Sequence, residues 1–122
     1  MTFEIQGSLA TIATLELNNL VKFYILFLRQ EPRIWVADVY AEFEIPGLRF
    51  GLFKPRSSDQ PAFEGNRGAM SLCLEVENLE AAIASLTELG QAPEEASVTT
   101  EYGIEIYAYD PEGNRLILYQ KY

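Results

Sequence analysis

The sequence predicts an α+β fold in which a unit of strand, helix and hairpin occurs twice in tandem. Three observations carry this reading. Short runs rich in β-branched and aliphatic residues alternate with stretches whose apolar positions recur at helical spacing. The order strand, helix, hairpin appears once on each side of a polar stretch. The two copies also share residues at matching places: Asn19-Leu20 and Asn78-Leu79 at the expected helix starts, Gly47-Leu-Arg-Phe-Gly-Leu-Phe53 and Gly113-Asn-Arg-Leu-Ile-Leu-Tyr119 at the expected final strands.

Each element follows from local chemistry. The β-branched and aliphatic run Leu9 to Leu17 reads as a strand, and Asn18-Asn19 after it is good helix-capping chemistry. Leu20, Phe23, Tyr24, Phe27 and Leu28 then form one helical stripe that Pro32 closes. Val39, Ala41, Phe43 and Ile45 alternate with Asp38, Tyr40, Glu42 and Glu44, and Pro46-Gly47 turns the chain into a strand from Leu48 to Lys54. The segment Pro55 to Gly68 breaks the pattern and reads as a linker. Beyond it the order repeats, with a strand Met70 to Glu77, an Asn78 cap, and a helix carrying Leu79, Ala82, Ile83 and Leu86 up to Gly90. The last hairpin runs Gly103 to Tyr109 and Arg115 to Gln120 around the turn Asp110-Pro111-Glu112-Gly113. The expectation is a single domain over 1–122, with module one at about 8–54, a linker at about 55–69 and module two at about 70–122.

Composition removes several functions. The 122 residues suffice for a core without staples. A formal charge of -9, with the basic residues scattered, repels a phosphate backbone, so nucleic acid is not an expected partner. Zero histidine removes triads, Cys-His pairs and the commonest transition-metal ligand. Cys73 is the only cysteine and cannot form an internal disulfide, which fits a reducing cytoplasm, as does a start without the marks of a signal peptide. The longest apolar run, Phe23 to Leu28, is far short of the ~20 residues of a spanning helix, so no membrane is expected.

The phrases Leu17-Asn-Asn-Leu-Val-Lys-Phe-Tyr24, Glu75-Val-Glu-Asn-Leu-Glu-Ala-Ala82 and Tyr109-Asp-Pro-Glu-Gly-Asn-Arg-Leu-Ile-Leu118 resemble the vicinal oxygen chelate superfamily, which includes glyoxalase I, bleomycin-resistance proteins and extradiol dioxygenases. The resemblance covers nearly the whole chain. It implies two tandem βαβββ modules forming a curled mixed sheet around a cleft, helices on the outer face, with chains often paired as a homodimer. Enzymes of the superfamily hold a divalent metal with one side chain from the first and last strand of each module, usually His, Gln or Glu. Counting from the expected helix starts and from the turn glycines puts Ile12, Gly51, Ser71 and Ile117 at those positions, and none is a normal transition-metal ligand.

Strand alternation sorts the remaining candidates. Leu15, Leu17, Phe50, Leu52, Leu72, Leu74, Val76, Leu116 and Leu118 are expected beneath the helices. The opposite face is expected to carry Ile12, Thr14, Ser71 and Ile117, together with the candidate ligand-binding residues Tyr40, Glu42, Arg49, Phe53, Cys73, Glu75, Tyr107, Tyr109, Arg115 and Tyr119. An aromatic and acidic lining of this kind suits a flat or positively charged molecule. Plainer roles exist for the same residues: tyrosines as cross-strand packing, Arg49 and Arg115 in structural pairs with Glu42, Glu75 or Glu105, and Cys73 as an inert strand residue. The favoured expectation is a metal-independent binding protein for an aromatic or cationic small molecule, without cofactor or catalytic residues. The alternatives are a metal-dependent lyase or dioxygenase using carboxylates such as Glu16, Glu42, Glu75 or Glu105, and a purely assembling protein with a filled cleft.

Overall fold

A computed structural model describes residues 1–65 and 68–122 of the chain. It divides into two compact units, Met1–Phe63 and Glu64–Tyr122. The first contains β1 (Ala10–Ala13), α1 (Leu17–Leu28), β2 (Ile34–Val36), β3 (Tyr40–Ile45) and β4 (Leu48–Phe53). The second contains β5 (Ser71–Glu75), α2 (Leu79–Glu88), β6 (Val98–Thr99), β7 (Gly103–Tyr109) and β8 (Arg115–Lys121). Their sheets have the orders β1-β4-β3-β2 and β5-β8-β7-β6. In each the first strand runs parallel to the last and the other pairings are antiparallel, so the expected βαβββ topology is present twice. Neither sheet closes into a barrel. No helix among the described residues is long and apolar enough to cross a membrane.

Alternation along β3 and β4 gives the first unit its core. Ala41 and Phe43 share a face with Leu52 and Phe50, all fully or almost fully buried, and α1 lays Leu17, Leu20, Val21 and Tyr24 into the same interior. The Tyr24 ring meets Phe50 edge-on at 5.0 Å. In the second unit Leu72, Ile106, Ala108, Leu116 and Leu118 form the equivalent floor, and α2 adds Leu79 and Leu86. Asn78 caps α2 by accepting from the Ala81 N–H at 3.0 Å, and Gln120 Oε1 accepts from the Leu79 N–H at 2.7 Å.

Several boundaries differ from the sequence expectation. The first strand ends at Ala13, and α1 begins at Leu17, not at Asn19. Thr14 breaks the strand: its N–H donates to the Phe53 carbonyl, while its Oγ1 accepts from the Glu16 N–H at 3.0 Å. Glu16 holds the N-cap place without a side-chain cap. Asn18 is instead used on the turn between β2 and β3, donating to Asp38 Oδ1 and accepting from the Asp38 N–H, with Asp38 in the left-handed region at φ 63. The structural counterpart of Asn78-Leu79 is therefore Glu16-Leu17, and the Asn19-Leu20 match was a false one by three residues. Leu15 lies beyond the strand end and is exposed, while Leu74 and Val76 are half-buried.

The edge strands β2 and β6 are too short to leave a clear alternation. The expected linker contains a 3-10 helix, Ser57–Phe63, whose Phe63 packs edge-on against Phe53 at 5.2 Å. Residues 66 and 67 of that linker lie outside the described residues.

Candidate functional site

Each sheet has a face that its helix does not cover, and strand register decides which side chains lie there. In the first unit Tyr40 pairs with Phe53, Glu42 with Gly51 and Glu44 with Arg49, so these residues share the open face. Ile12 pairs with Leu52 and belongs to the helix side, as does Thr14 by alternation, which corrects both assignments. The misplaced helix start shifted the count along β1. The counterparts of Ser71 and Cys73 are Leu9 and Thr11, whose methyl groups would lie 3.2 Å from a side-chain carbon placed on Gly51.

The open face of the first unit is a closed polar network around Glu42, which is 2% exposed. Arg49 donates to both carboxylate oxygens, from Nε at 3.2 Å and Nη2 at 3.1 Å. Tyr40 donates its hydroxyl to Oε1 at 2.7 Å, and Arg33 Nη1 approaches Oε2 at 3.4 Å. Arg49, followed by Tyr40, holds the Glu42 carboxyl below the usual carboxylate range. Burial, reinforced by Glu42, pushes the Tyr40 hydroxyl up to about 12. Such mutual satisfaction is what a buried carboxylate requires, and it leaves Glu42, Arg49 and Tyr40 committed to one another. Arg33 was not foreseen, because β2 was not recognised as a strand beside β3.

The second unit is different. Ser71, Cys73 and Glu75 on β5, Arg115, Ile117, Tyr119 and Lys121 on β8, and Glu105, Tyr107 and Tyr109 on β7 share the open face. At its β6 end lies a pocket of about 580 Å³, within the usual range for small-ligand sites, lined by Cys73, Tyr102, Glu105, Tyr119, Lys121 and Tyr122 among others. Glu75 accepts from Lys121 Nζ at 3.1 Å and from the Tyr119 hydroxyl at 3.0 Å, and these bonds lower its titration below the usual range. Burial pushes the Cys73 thiol up, and the Glu105 charge adds to this, so Cys73 is a poor nucleophile.

Of the ten candidate residues, Cys73 and Tyr119 line the pocket, and Glu75 is bonded to two of its walls. Tyr40, Glu42 and Arg49 form the other unit's network, and Phe53 packs on Phe63. Arg115 makes no ion pair with Glu75 or Glu105; it donates to the Gly68 carbonyl and lies 6.0 Å from the Tyr107 ring centroid. Tyr107 and Tyr109 are partly exposed on the same face, outside the pocket lining. Sequence reading missed Lys121, Tyr102 and Tyr122. Lys121 was legible in principle, since it continues the alternation Arg115, Ile117, Tyr119; the Thr100–Gly103 turn that carries Tyr102 has no comparable signal.

The metal positions of the resembling enzymes do not fit a metal here. After the frame correction they fall on Leu9 or Thr11, Gly51, Ser71 or Cys73, and Ile117, a set of apolar groups, weak hydroxyls and one thiol. Among the described residues no three or more Cys, Asp or Glu come together in a way that could hold an ion.

No family model matches the sequence, and no curated protein matches it. Solved structures do. A glyoxalase/bleomycin resistance protein/dioxygenase family enzyme from Burkholderia phytofirmans superposes with a TM-score of 0.79 at 17% identity, over 94% of this chain and 98% of its own. A glyoxalase-related enzyme from Fulvimarina pelagi gives 0.76 at 15% identity, over 96% and 89%. A lactoylglutathione lyase from Agrobacterium tumefaciens gives 0.73 at 15% identity, over 96% and 95%. The chain thus has the glyoxalase-like fold that its sequence phrases implied. At these identities the likeness defines the scaffold, and scaffold alone does not define chemistry.

Proposed function

We propose that this chain is a metal-independent small-molecule-binding protein, with an aromatic or cationic ligand held in the pocket of the second unit. The observation that carries the reading is the pocket itself: about 580 Å³, walled by the rings of Tyr102, Tyr119 and Tyr122 beside charged groups. Flat rings supply apolar contact area, while Glu105 and Lys121 orient a polar end. Cys73 and Tyr119 are its sequence-foreseen residues, Glu75 bonds to Tyr119 and Lys121 in its wall, and Lys121 and Glu105 complete it. A cytoplasmic location belongs to the same proposal and rests on the single, unpaired cysteine.

A homodimer is also part of it. The outer edge of β2 has no strand partner in the sheet, and Ile34, Trp35 and Val36 on it are exposed. A second copy is the occupant that would relieve both an open edge and an apolar strip.

The test is an NMR titration of untagged protein with a panel of neutral, cationic and anionic aromatic fragments. Saturating shifts in the amides of Cys73, Ile104, Glu105 and Lys121 are expected. A panel that leaves all four unmoved sinks the binding reading. Elemental analysis of the same sample addresses the metal: stoichiometric zinc, nickel, iron or manganese would overturn metal independence.

A further inference from the structure

We propose that this pocket selects a small organic cation over its neutral counterpart, with Glu105 as the counter-ion and tyrosine rings as the walls. This rests on the pocket being the binding site and adds the charge of the ligand. Lys121 Nζ lies 3.1 Å from Glu75, so these two cancel. Glu105, half-buried in the pocket wall, makes no ion pair or side-chain hydrogen bond among the described residues. Its field reaches the pocket interior, because it helps to hold the Cys73 thiol protonated. Among the described residues one negative charge without an ion-pair partner is left in the pocket lining.

The rings are arranged to serve the same end. The Tyr119 hydroxyl is bound to Glu75 and the Tyr122 hydroxyl to the Thr100 carbonyl, each at 3.0 Å, and the Tyr102 N–H donates to Thr100 Oγ1 at 3.2 Å. With hydroxyl tips or backbone tied down, the polar ends of these residues are engaged, and what the rings add to the lining is π surface, which attracts cations. A neutral occupant would strip water from Glu105 and return nothing; an anion would also meet repulsion from it. A cation offsets that desolvation.

The probes are tyramine and tyrosol, which share a ring and differ by an ammonium in place of a hydroxyl. Affinities come from calorimetry, and the pocket amides of Cys73, Glu105 and Lys121 locate the binding. Tyramine is expected to bind about tenfold more tightly than tyrosol, a margin in the range of a partly desolvated cation–π and carboxylate contact. Glu105→Gln should erase that margin, and Tyr102→Leu should weaken tyramine by a few-fold. Tyr102 is exposed, so the second variant tests the idea even if Glu105→Gln lowers stability. Equal affinity for the two probes, or a preference that survives Glu105→Gln, overturns the cation proposal while leaving small-molecule binding intact. Neutral fragments that saturate the pocket where tyramine does not would overturn it too, whereas a pocket that responds to nothing removes both readings.

Discussion

Gly51 occupies one of the positions where the resembling enzymes carry a metal ligand, and the structure gives a different reason for its lack of a side chain. A carbon placed on it would meet the Tyr40 hydroxyl at 2.9 Å and the methyl groups of Leu9 and Thr11 at 3.2 Å. The hydroxyl cannot simply retreat, because it is bonded to Glu42 at 2.7 Å. Overpacking of this kind costs about 1–3 kcal/mol, and the loss of glycine's freedom in the unfolded chain returns about 0.4–1, so Gly51→Ala should destabilise by about 1–2 kcal/mol. In a Tyr40→Phe background the clashing oxygen is gone and only the two 3.2 Å contacts remain, so the same change should cost about 1 kcal/mol less. Urea unfolding of the four proteins measures the coupling. Equal costs in both backgrounds, within the ~0.3–0.5 kcal/mol expected of independent sites, would refute the reasoning. A tyrosine titration by ultraviolet absorbance gives a second readout. Tyr40, pushed up to about 12 in the native chain, should fall back toward the ordinary ~10 in Gly51→Ala. Because the folded value is the higher one, the stabilisation is complete below about 10 and lost as the pH rises from there through about 12, so the variant should also show a shallower alkaline loss.

Four further outcomes follow from the same contacts. Glu42 and Glu75 both titrate below the ordinary ~4.3, so their stabilisation is complete above that value and is lost as the pH falls through their lower folded values; Glu42→Gln should flatten the acid limb of a melting-temperature profile, and an unchanged limb would contradict the assignment. Phe50→Ala empties a site 1% exposed between Tyr24 and Phe43 and should cost about 3–5 kcal/mol in urea unfolding; a loss below about 1 would mean that the ring is not packed. Cys73 should alkylate slowly at neutral pH and faster in Glu105→Gln, since one of the two causes raising its thiol is removed; equal rates would argue against the Glu105 field. Val36→Lys on the exposed β2 edge should shift sedimentation from dimer to monomer, and a dimer that persists would exclude that edge as the contact.

What was legible in the sequence follows the strength of the local signal. The β3–β4 and β7–β8 hairpins have long alternation and turn glycines with positive φ at Gly47 and Gly113, and both appeared where expected. The start of α1 did not, because Asn18-Asn19 looks like a cap while the chain uses Thr14 to end the strand and Asn18 to tie down the Asp38 turn, a contact made twenty residues away. That one misplacement carried Ile12 and Thr14 onto the wrong face. The Glu42 network was legible as a set of types but not as a closed circuit, since one of its members, Arg33, comes from the residue just before the three-residue strand β2. The pocket was half legible. Cys73 and Tyr119 followed from alternation, whereas Tyr102 and Tyr122 sit on a turn and a strand end, where no period applies.

The two units hold the same register with exchanged occupants, and that exchange accounts for the different settings of Glu42 and Glu105 among the described residues. Gly51 pairs with Glu42 where Ile117 pairs with Tyr107, and Phe53 pairs with Tyr40 where Tyr119 pairs with Glu105. A carboxylate at the first of these places lies within reach of Arg49 on the neighbouring strand, is buried, and takes up the available cations. Moved one pair along, as in the second unit, the carboxylate is beyond such a partner: Arg115 turns to the Gly68 carbonyl and Lys121 to Glu75. A small glycine beside the first carboxylate lets a phenol fold over it, whereas Ile117 fills that place and keeps the second face apolar at its centre and charged at its margin. The two units thus share one frame, and the exchange of an acid and an aromatic across one register step goes with a closed polar network in one and with Glu105 lining a pocket in the other.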